Sequence, residues 1–246
     1  MSVVPISFGA SENPPLILIH DISGSPFPYL PFGLHQVLSQ YTIYGVSALS
    51  ESSAAPASTH TSVSAWAEAY AALIEAEIGE ELAAQYQGPV VLGGWSLGGI
   101  LAAEIARVFR RRSAGRIRIL GLILLDSHAP WCLKERMLLG PRGVEIGGVV
   151  VESAYFTPAD MSHIIDLLGR TGQDAWPGMD DIGCPAWLIT PSAAGANGLE
   201  QWFPDNRRVR RIGQDSEGCD HFSMMKAEWI EQVIEGVLDA LKEMRT

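Results

Sequence analysis

Gly94-Trp95-Ser96-Leu97-Gly98, with Gly99 after it, is the segment of this chain best suited to chemistry. A short β-rich run, Pro89-Val90-Val91-Leu92-Gly93, leads into it, and a helical pattern from Leu97 to Arg112 leads out. A serine between a strand and a helix is the setting of a nucleophile elbow. The turn is sharp, so the positions of Gly94 and Gly98 need residues without bulky side chains. Such a turn lifts the Ser96 hydroxyl above the sheet edge. It also aims the Leu97 N–H and the positive end of the helix dipole at the same point. A Gly-rich strand-helix turn with no catalytic role would read the same way if the flanking elements were absent.

A serine hydroxyl needs a base, and the base needs an orienting carboxylate. The elbow context requires the chain order Ser, acid, His. His20, His35 and His60 precede Ser96, while His128, His163 and His221 follow it. Only His221 comes after the last expected strand, in Gly218-Cys219-Asp220-His221-Phe222, where a loop would overhang the elbow. His163 falls in a helical stretch and His128 is tied to a strand end. His221 is therefore the expected base.

The acid must follow a strand. After Ile189-Thr190 the chain reads PSAAGANG, with no carboxylate. After Ile123-Leu124-Leu125 comes Asp126, thirty residues beyond Ser96, a separation of one helix plus one strand. Asp126 is the expected acid. The competing reading makes it a plain strand-ending turn residue, and Asp220 is the competing carboxylate. A second oxyanion donor is expected from the loop His20-Asp21-Ile22-Ser23-Gly24-Ser25, with the Ile22 N–H as partner to that of Leu97.

The elements that must hold these residues alternate. Strands are expected at Leu16–Ile19, Thr42–Ala48, 89–93, Ile117–Leu125, Ala186–Ile189 and Arg208–Ile212. Helical patterns fall at Pro26–Gln40, Val63–Tyr86, Leu97–Arg112 and Phe222–Glu243. The fold class is α/β, a mostly parallel central sheet with helices on both faces. The 246 residues suit a single domain, 1–246, and the low-complexity stretch Glu51–Ser64 reads as an exposed loop. Between Ser127 and Asp181 the rhythm breaks. Met161–Leu168 is helical, and Val149-Val150-Val151 is either a short strand or a helix start. An insertion of this size between strands is expected to form a helical lid, though packing helices over the sheet edge would leave the same pattern.

Composition narrows the function. The net charge of −11, from 17 basic and 28 acidic residues, argues against nucleic acid or an anionic membrane as a partner. No apolar run approaches a membrane span, and the first fifteen residues lack a charged start and a long apolar stretch. Three cysteines, without CxxC spacing, give neither a disulfide framework nor a metal site and fit a reducing, cytoplasmic setting.

GWSLGG, the strand ending LILLDS, the loop LIHDISGS and the closing GCDHFSMM, taken in that order, resemble a type I thioesterase domain of the α/β-hydrolase superfamily. Such domains release finished chains from polyketide synthases and nonribosomal peptide synthetases, and the likeness is close to the fungal ones. It runs from about Leu16 to the last helix. The resemblance implies a thioesterase with Ser96 as nucleophile, Asp126 as acid, His221 as base, and Ile22 and Leu97 as oxyanion donors. It implies a lid over 127–181 and an acyl chain delivered on the 4'-phosphopantetheine of an acyl or peptidyl carrier protein, with no bound cofactor and no metal. Release would then be by hydrolysis, cyclisation or Claisen-type condensation. Trp95, Val149, Val150, Met161, Ile164 and Ile165 are the expected contacts for an apolar acyl or aromatic polyketide substrate. A free-standing carboxylesterase and a non-catalytic docking module are the alternative readings. Gly213-Gln214-Asp215-Ser216 resembles a carrier attachment motif, but Glu217 stands where an apolar residue is usual, so the carrier is expected from elsewhere. Six arginines between 107 and 118 and four between 207 and 211 offer basic surfaces to an acidic carrier. Solvated helix-end cations give the same pattern.

Overall fold

Leu16–Ile19 is buried at every residue, and its alternate side chains serve two different cores. Ile17 and Ile19 point to one face of the sheet, Leu16 and Leu18 to the other. A strand with two buried faces belongs in the middle of a sheet covered on both sides. The computed structural model describes residues 3–48, 60–112, 117–140, 143–146, 148–171, 179–191, 198–199, 202–203, 207–213 and 218–245.

In chain order the first half comprises β1 (Val3–Ser7), β2 (Leu16–Ile19), α1 (Leu30–Leu34), β3 (Ile43–Val46), α2 (Val63–Gln85), β4 (Val90–Trp95), α3 (Leu97–Arg111) and β5 (Ile119–Leu125). An insertion follows: α4 (Pro130–Glu135), β6 (Met137–Gly140), β7 (Gly143–Ile146), β8 (Val149–Val151), α5 (Pro158–Arg170) and α6 (Met179–Ile182). The chain closes with β9 (Ala186–Pro191), β10 (Val209–Ile212) and α7 (Ile230–Glu243).

Seven strands form the main sheet in the order β1-β3-β2-β4-β5-β9-β10. All neighbours are parallel except β1 and β3. The chain runs leftward from β2 to β3, then crosses back through α2 to β4. The order therefore reverses between β2 and β4, and the region beyond the carboxyl ends of such strands is the usual ligand position in open α/β sheets. In register Ile19 pairs with Gly94, Trp95 with Leu125, and Leu125 with Ile189. The ends of β2, β4, β5 and β9 are thus level, and the residues after them share one rim. On one face α2 and α3 bury Trp66, Tyr70, Ile100 and Leu101 against the sheet; on the other α7 buries Val233, Ile234 and Val237. Each such side chain contributes about 1.5–3 kcal/mol.

Most expected strands and helices are present. Within Pro26–Gln40 the only α-helix is the short α1, between 3-10 turns at Phe27–Tyr29 and Leu38–Gln40, and three further differences stand out. β1, VVPIS, is not among the expected strands; it contains Pro5, and as an edge strand it tolerates the missing N–H. The last helix starts at Ile230 rather than Phe222. Upstream, Oδ1 of Asp220 accepts from the N–H groups of Phe222 and Ser223 at 3.0 and 2.7 Å. These side-chain bonds favour a turn over a helical start. The insertion, expected as a helical lid, is half β: β6, β7 and β8 form an antiparallel sheet of three strands. Val149–Val151 is its last strand, and Gly143, at φ 155°, opens the middle one. Residues 51–59, most of the expected exposed loop, lie outside the described residues. So do 172–178 of the insertion, 192–197 after β9 and 214–217, which hold most of the carrier-like motif.

Candidate active site

Ser96 joins β4 to α3 with φ 56° and ψ −118°. Side chains other than glycine occupy such backbone at a cost of order 1–3 kcal/mol. The flanking glycines are dictated by contact. A Cβ on Gly94 would lie 2.4 Å from the Gly98 carbonyl carbon, and one on Gly98 would lie 2.2 Å from the Ile19 oxygen. Among the described residues the only other non-glycine with positive φ is Asp126, at 38°. Both strained positions fall on residues singled out for chemistry.

Asp126 follows β5, and its N–H donates to the Ile189 carbonyl of the next strand at 2.7 Å. Its two carboxylate oxygens are divided. Oδ2 accepts from His221 Nδ1 at 2.7 Å, and Oδ1 accepts from the Thr190 hydroxyl at 2.6 Å. Burial favours the neutral acid, but the hydrogen bond and charge of His221, with help from Thr190, outweigh it and hold the carboxyl below its ordinary range. The bond at Nδ1 leaves Nε2 as the ring nitrogen not bonded to Asp126. The Trp95 and His221 rings lie 5.1 Å apart, so the His221 imidazole rests on the residue next to Ser96. The Ser96 Oγ is buried and has no hydrogen-bond partner among the described residues. Ser96 and His221 thus share no hydrogen bond here; in active sites such bonds commonly tighten only with substrate. Asp220, the alternative acid, is committed to the turn at Phe222 and Ser223.

The loop after β2 lies against the elbow, as the Gly98–Ile19 contact shows. Within it Asp21 Oδ1 accepts from Ser23 N–H and Oγ at 3.0 and 2.5 Å, and Ile22 is buried. Leu97 opens α3, so its N–H has no intrahelical acceptor. His20 is buried and neutral: its Nδ1–H donates to the Asp21 carbonyl, Nε2 accepts from the Tyr70 hydroxyl, and burial lowers its pKa to about 4.

His128 stands beside the pair. Its Nδ1–H donates to the Asp126 carbonyl at 3.1 Å, and its Nε2 accepts from Arg136. Burial brings its pKa down to about 4, so it too is neutral. Asp126, His128 and His221 could together offer three ligand atoms within 4.8 Å of one another. The Arg136 guanidinium on His128 opposes a cation there.

The residues expected to touch substrate are distributed differently. Trp95 is nearly enclosed beneath His221 and Phe222. Met161 and Ile164, at 2% and 0% exposure, are spent on the packing of α5, and Ile165 is half-buried against the same core. Val149 and Val150 are exposed, at 42% and 41%. The arginines of α3 are engaged: Arg107 with Glu104 and Arg112 with Glu75, each at 2.8 Å, and Arg111 with Glu68 at 3.6 Å. Its final arginines stand a helix length, about 22 Å, from Ser96. In the second basic group Arg208 lies over the Trp187 ring and Arg210 faces Glu235 and Asp239.

Sequence reasoning missed Thr190, His128 with Arg136, and Ser153, whose hydroxyl donates to the Ser23 carbonyl at 2.5 Å. Thr190 had a signal: a strand aligned with β5 and ending in a hydroxyl residue places that hydroxyl beside Asp126. The other two depend on how the insertion folds back.

Residues 14–138, half of the chain, match the thioesterase domain family. The chain belongs to that family. The thioesterase is 24% identical to the thioesterase frbE of Dothideomycetidae sp. (strain 11243), over 95% of this chain and 91% of that one. It is 34% identical to a non-reducing polyketide synthase of Pseudevernia furfuracea over 91% of its own length, a span that is 12% of the synthase. The NocB thioesterase domain from the nocardicin cluster shares its fold with a TM-score of 0.60 at 18% identity, covering 98% of this chain and 99% of that domain. The YbtT type II thioesterase does so with a TM-score of 0.59, also at 18% identity. The fold is that of the α/β-hydrolases, and the thioesterase acts as a hydrolase on thioesters. No helix of the described residues is long and apolar enough to cross a membrane.

Proposed function

We propose that this thioesterase takes an acyl chain from the phosphopantetheine thioester of a carrier protein onto Ser96 and then releases it. The observation that carries the proposal is the divided Asp126 carboxylate, one oxygen on His221 and one on Thr190, on the same rim as a strained Ser96. His221 Nε2 accepts the Ser96 proton as Oγ attacks the thioester carbonyl. The Ile22 and Leu97 N–H groups receive the oxyanion, and the α3 dipole adds to them. Collapse expels the pantetheine thiolate, which takes the proton from His221. In the second half His221 deprotonates the releasing nucleophile, the acyl–Oγ bond breaks, and the proton returns to Ser96. Asp126 holds the Nδ1–H tautomer throughout and stabilises the imidazolium. No metal and no bound cofactor enters this scheme. The polyketide synthase among the relatives supports a polyketide-type acyl chain and a carrier as its donor.

Intact-protein mass spectrometry after mixing with an acyl-loaded carrier tests this. The expected result is a transient acyl adduct on Ser96, loss of acyl from the carrier, and turnover of the acyl thioester above that of a matched p-nitrophenyl ester. The released mass distinguishes hydrolysis, which adds water, from cyclisation and condensation, which do not. A protein that cleaves the ester and ignores the loaded carrier is a carboxylesterase.

A further inference from the structure

Tyr29 is fully buried, and its hydroxyl is used twice at the rim. It donates to the Ile19 carbonyl at 2.6 Å and accepts from the Trp95 N–H at 2.8 Å. Ile19 is the last residue of β2 and Trp95 the last of β4. The ladder between these strands begins with Val91 N–H donating to the Pro15 carbonyl at 2.8 Å. A parallel ladder repeats every two residues on each strand. Four residues on, the same pattern would take Trp95 N–H directly to the Ile19 carbonyl. The tyrosine hydroxyl stands between these two groups instead.

The place of this insertion matters. Beyond Ile19 the chain enters the loop that carries Ile22; beyond Trp95 it enters Ser96 and Leu97. The Ile19 oxygen is also the atom against which Gly98 packs. The hydroxyl therefore sets the gap between the two strand ends, and both bond partners of the gap are backbone groups that burial requires to be satisfied. We infer that Tyr29 is a positioning residue: inserted in the β2–β4 ladder, it fixes the spacing of the Ile22 and Leu97 N–H groups and so the fit of the oxyanion hole. This rests on the serine-hydrolase reading above. Burial pushes the phenol well above its ordinary pKa, so the clamp stays protonated and does not respond to pH across the working range.

Tyr29→Phe removes only the hydroxyl. Trp95 and Ile19 then either close into a direct bond or stay unpaired, and either shifts the donors. The expected kcat loss on an activated ester is about 10–100-fold, at or below that of losing an oxyanion donor, with KM within about threefold and the pH profile unmoved. Affinity for a trifluoromethyl ketone, whose hemiketal oxygen occupies the oxyanion position, should fall by the same factor as kcat/KM. Phe32, whose ring lies 6.0 Å from that of Tyr29, is the control: Phe32→Leu should lower Tm and leave kcat and inhibitor affinity alone. Retention of kcat/KM and ketone affinity within twofold in Tyr29→Phe overturns the inference, whatever happens to Tm. If that variant does not fold, p-aminophenylalanine at position 29 keeps a donor and weakens the acceptor. Joint partial losses in kcat/KM and ketone affinity then support the inference, and losses that do not track each other overturn it. Fluorophosphonate labelling of wild type separates the two levels. Absence of label on Ser96 removes the serine-hydrolase reading and the inference with it; label on Ser96 with unaltered Tyr29→Phe removes the inference alone.

Discussion

Ser96, Asp126 and His221 stand on elements fixed by the parallel sheet, whereas the cap, the described elements of the insertion after β5, is joined to the body by side chains: Phe156, Met161 and Ile164 pack into the core that α2 and α3 share with the sheet. At the rim Gly94 and Gly98 admit no Cβ, strand register sets the neighbours, and the two strained backbones are held by bonds to adjacent strands. Cap and body also share hydrogen bonds, Ser153 Oγ on the Ser23 carbonyl and His163 Nε2–H on the His60 carbonyl at 2.6 Å, and the Phe156 ring lies 6.3 Å from that of Trp66. A Thr157–Asp160 capping box starts α5, while Leu138 and Val150 lie exposed on the cap sheet. The rim has one solution for its backbone. The cap joins the body through packed apolar side chains and a few side-chain hydrogen bonds.

That contrast predicts a gradient of effects. Ser96→Ala should lower kcat by about 10⁴-fold or more with little change in Tm; His221→Ala should do similar harm, and the double variant should be no worse than either. Losses that multiply would mean the two side chains do not act as one unit. Asp126→Asn should cost about 10³–10⁴-fold in kcat by imposing the wrong tautomer; a variant at near wild-type rate would remove Asp126 from the triad.

Acid tests the buried rim as a stability element. His20 and His128 have folded pKa values of about 4, below the ~6.5 of an unfolded histidine. As pH falls from about 6.5 to 4 the unfolded chain takes up protons that the folded chain refuses. Each histidine then removes about 1.4 kcal/mol of stability per pH unit, an effect absent above that window. Asp21 and Glu104, whose carboxyls burial pushes up, act with the opposite sign, so the slope of the whole protein is a balance. Urea titrations of wild type against His128→Gln isolate one histidine. Parallel lines between pH 6.5 and 4 would show that His128 is not held neutral.

Thr190→Val should reduce kcat about tenfold, the equivalent of one hydrogen bond to a charged group, and Thr190→Ser should restore most of it. In the cap, Ser153→Ala should change kcat on a short p-nitrophenyl ester by only about twofold, within the usual range for a surface contact, and act mainly on KM for a long acyl thioester. A larger effect on the short ester would tie the cap to the rim more tightly than its contacts indicate.

The same contrast explains what could be read from the sequence. GWSLGG between a β run and a helix is a local pattern, and its glycines, strand and helix follow from neighbours within a few residues. Asp126 was legible because no carboxylate stood at the competing strand end, and His221 because it alone follows the last strand. In the cap only α5 was legible, from the helical pattern of Met161–Leu168. Val149–Val151 has no fixed meaning until β6 and β7 pair with it, and Met161 and Ile164 are apolar whether they line a pocket or fill a core. Tyr29 was hidden for a different reason, since the ladder it interrupts joins residues far apart in sequence.

The most direct test is the rate at which a fluorophosphonate labels Ser96, mapped by peptide mass spectrometry in wild type, Ser96→Ala, His221→Ala and Asp126→Asn. Fast labelling of Ser96 alone is expected in wild type, none in Ser96→Ala, and slowing of about 10²-fold or more in the other two, within the range for general-base catalysis. Equal labelling rates in wild type and His221→Ala, or an adduct on another residue, would contradict the triad.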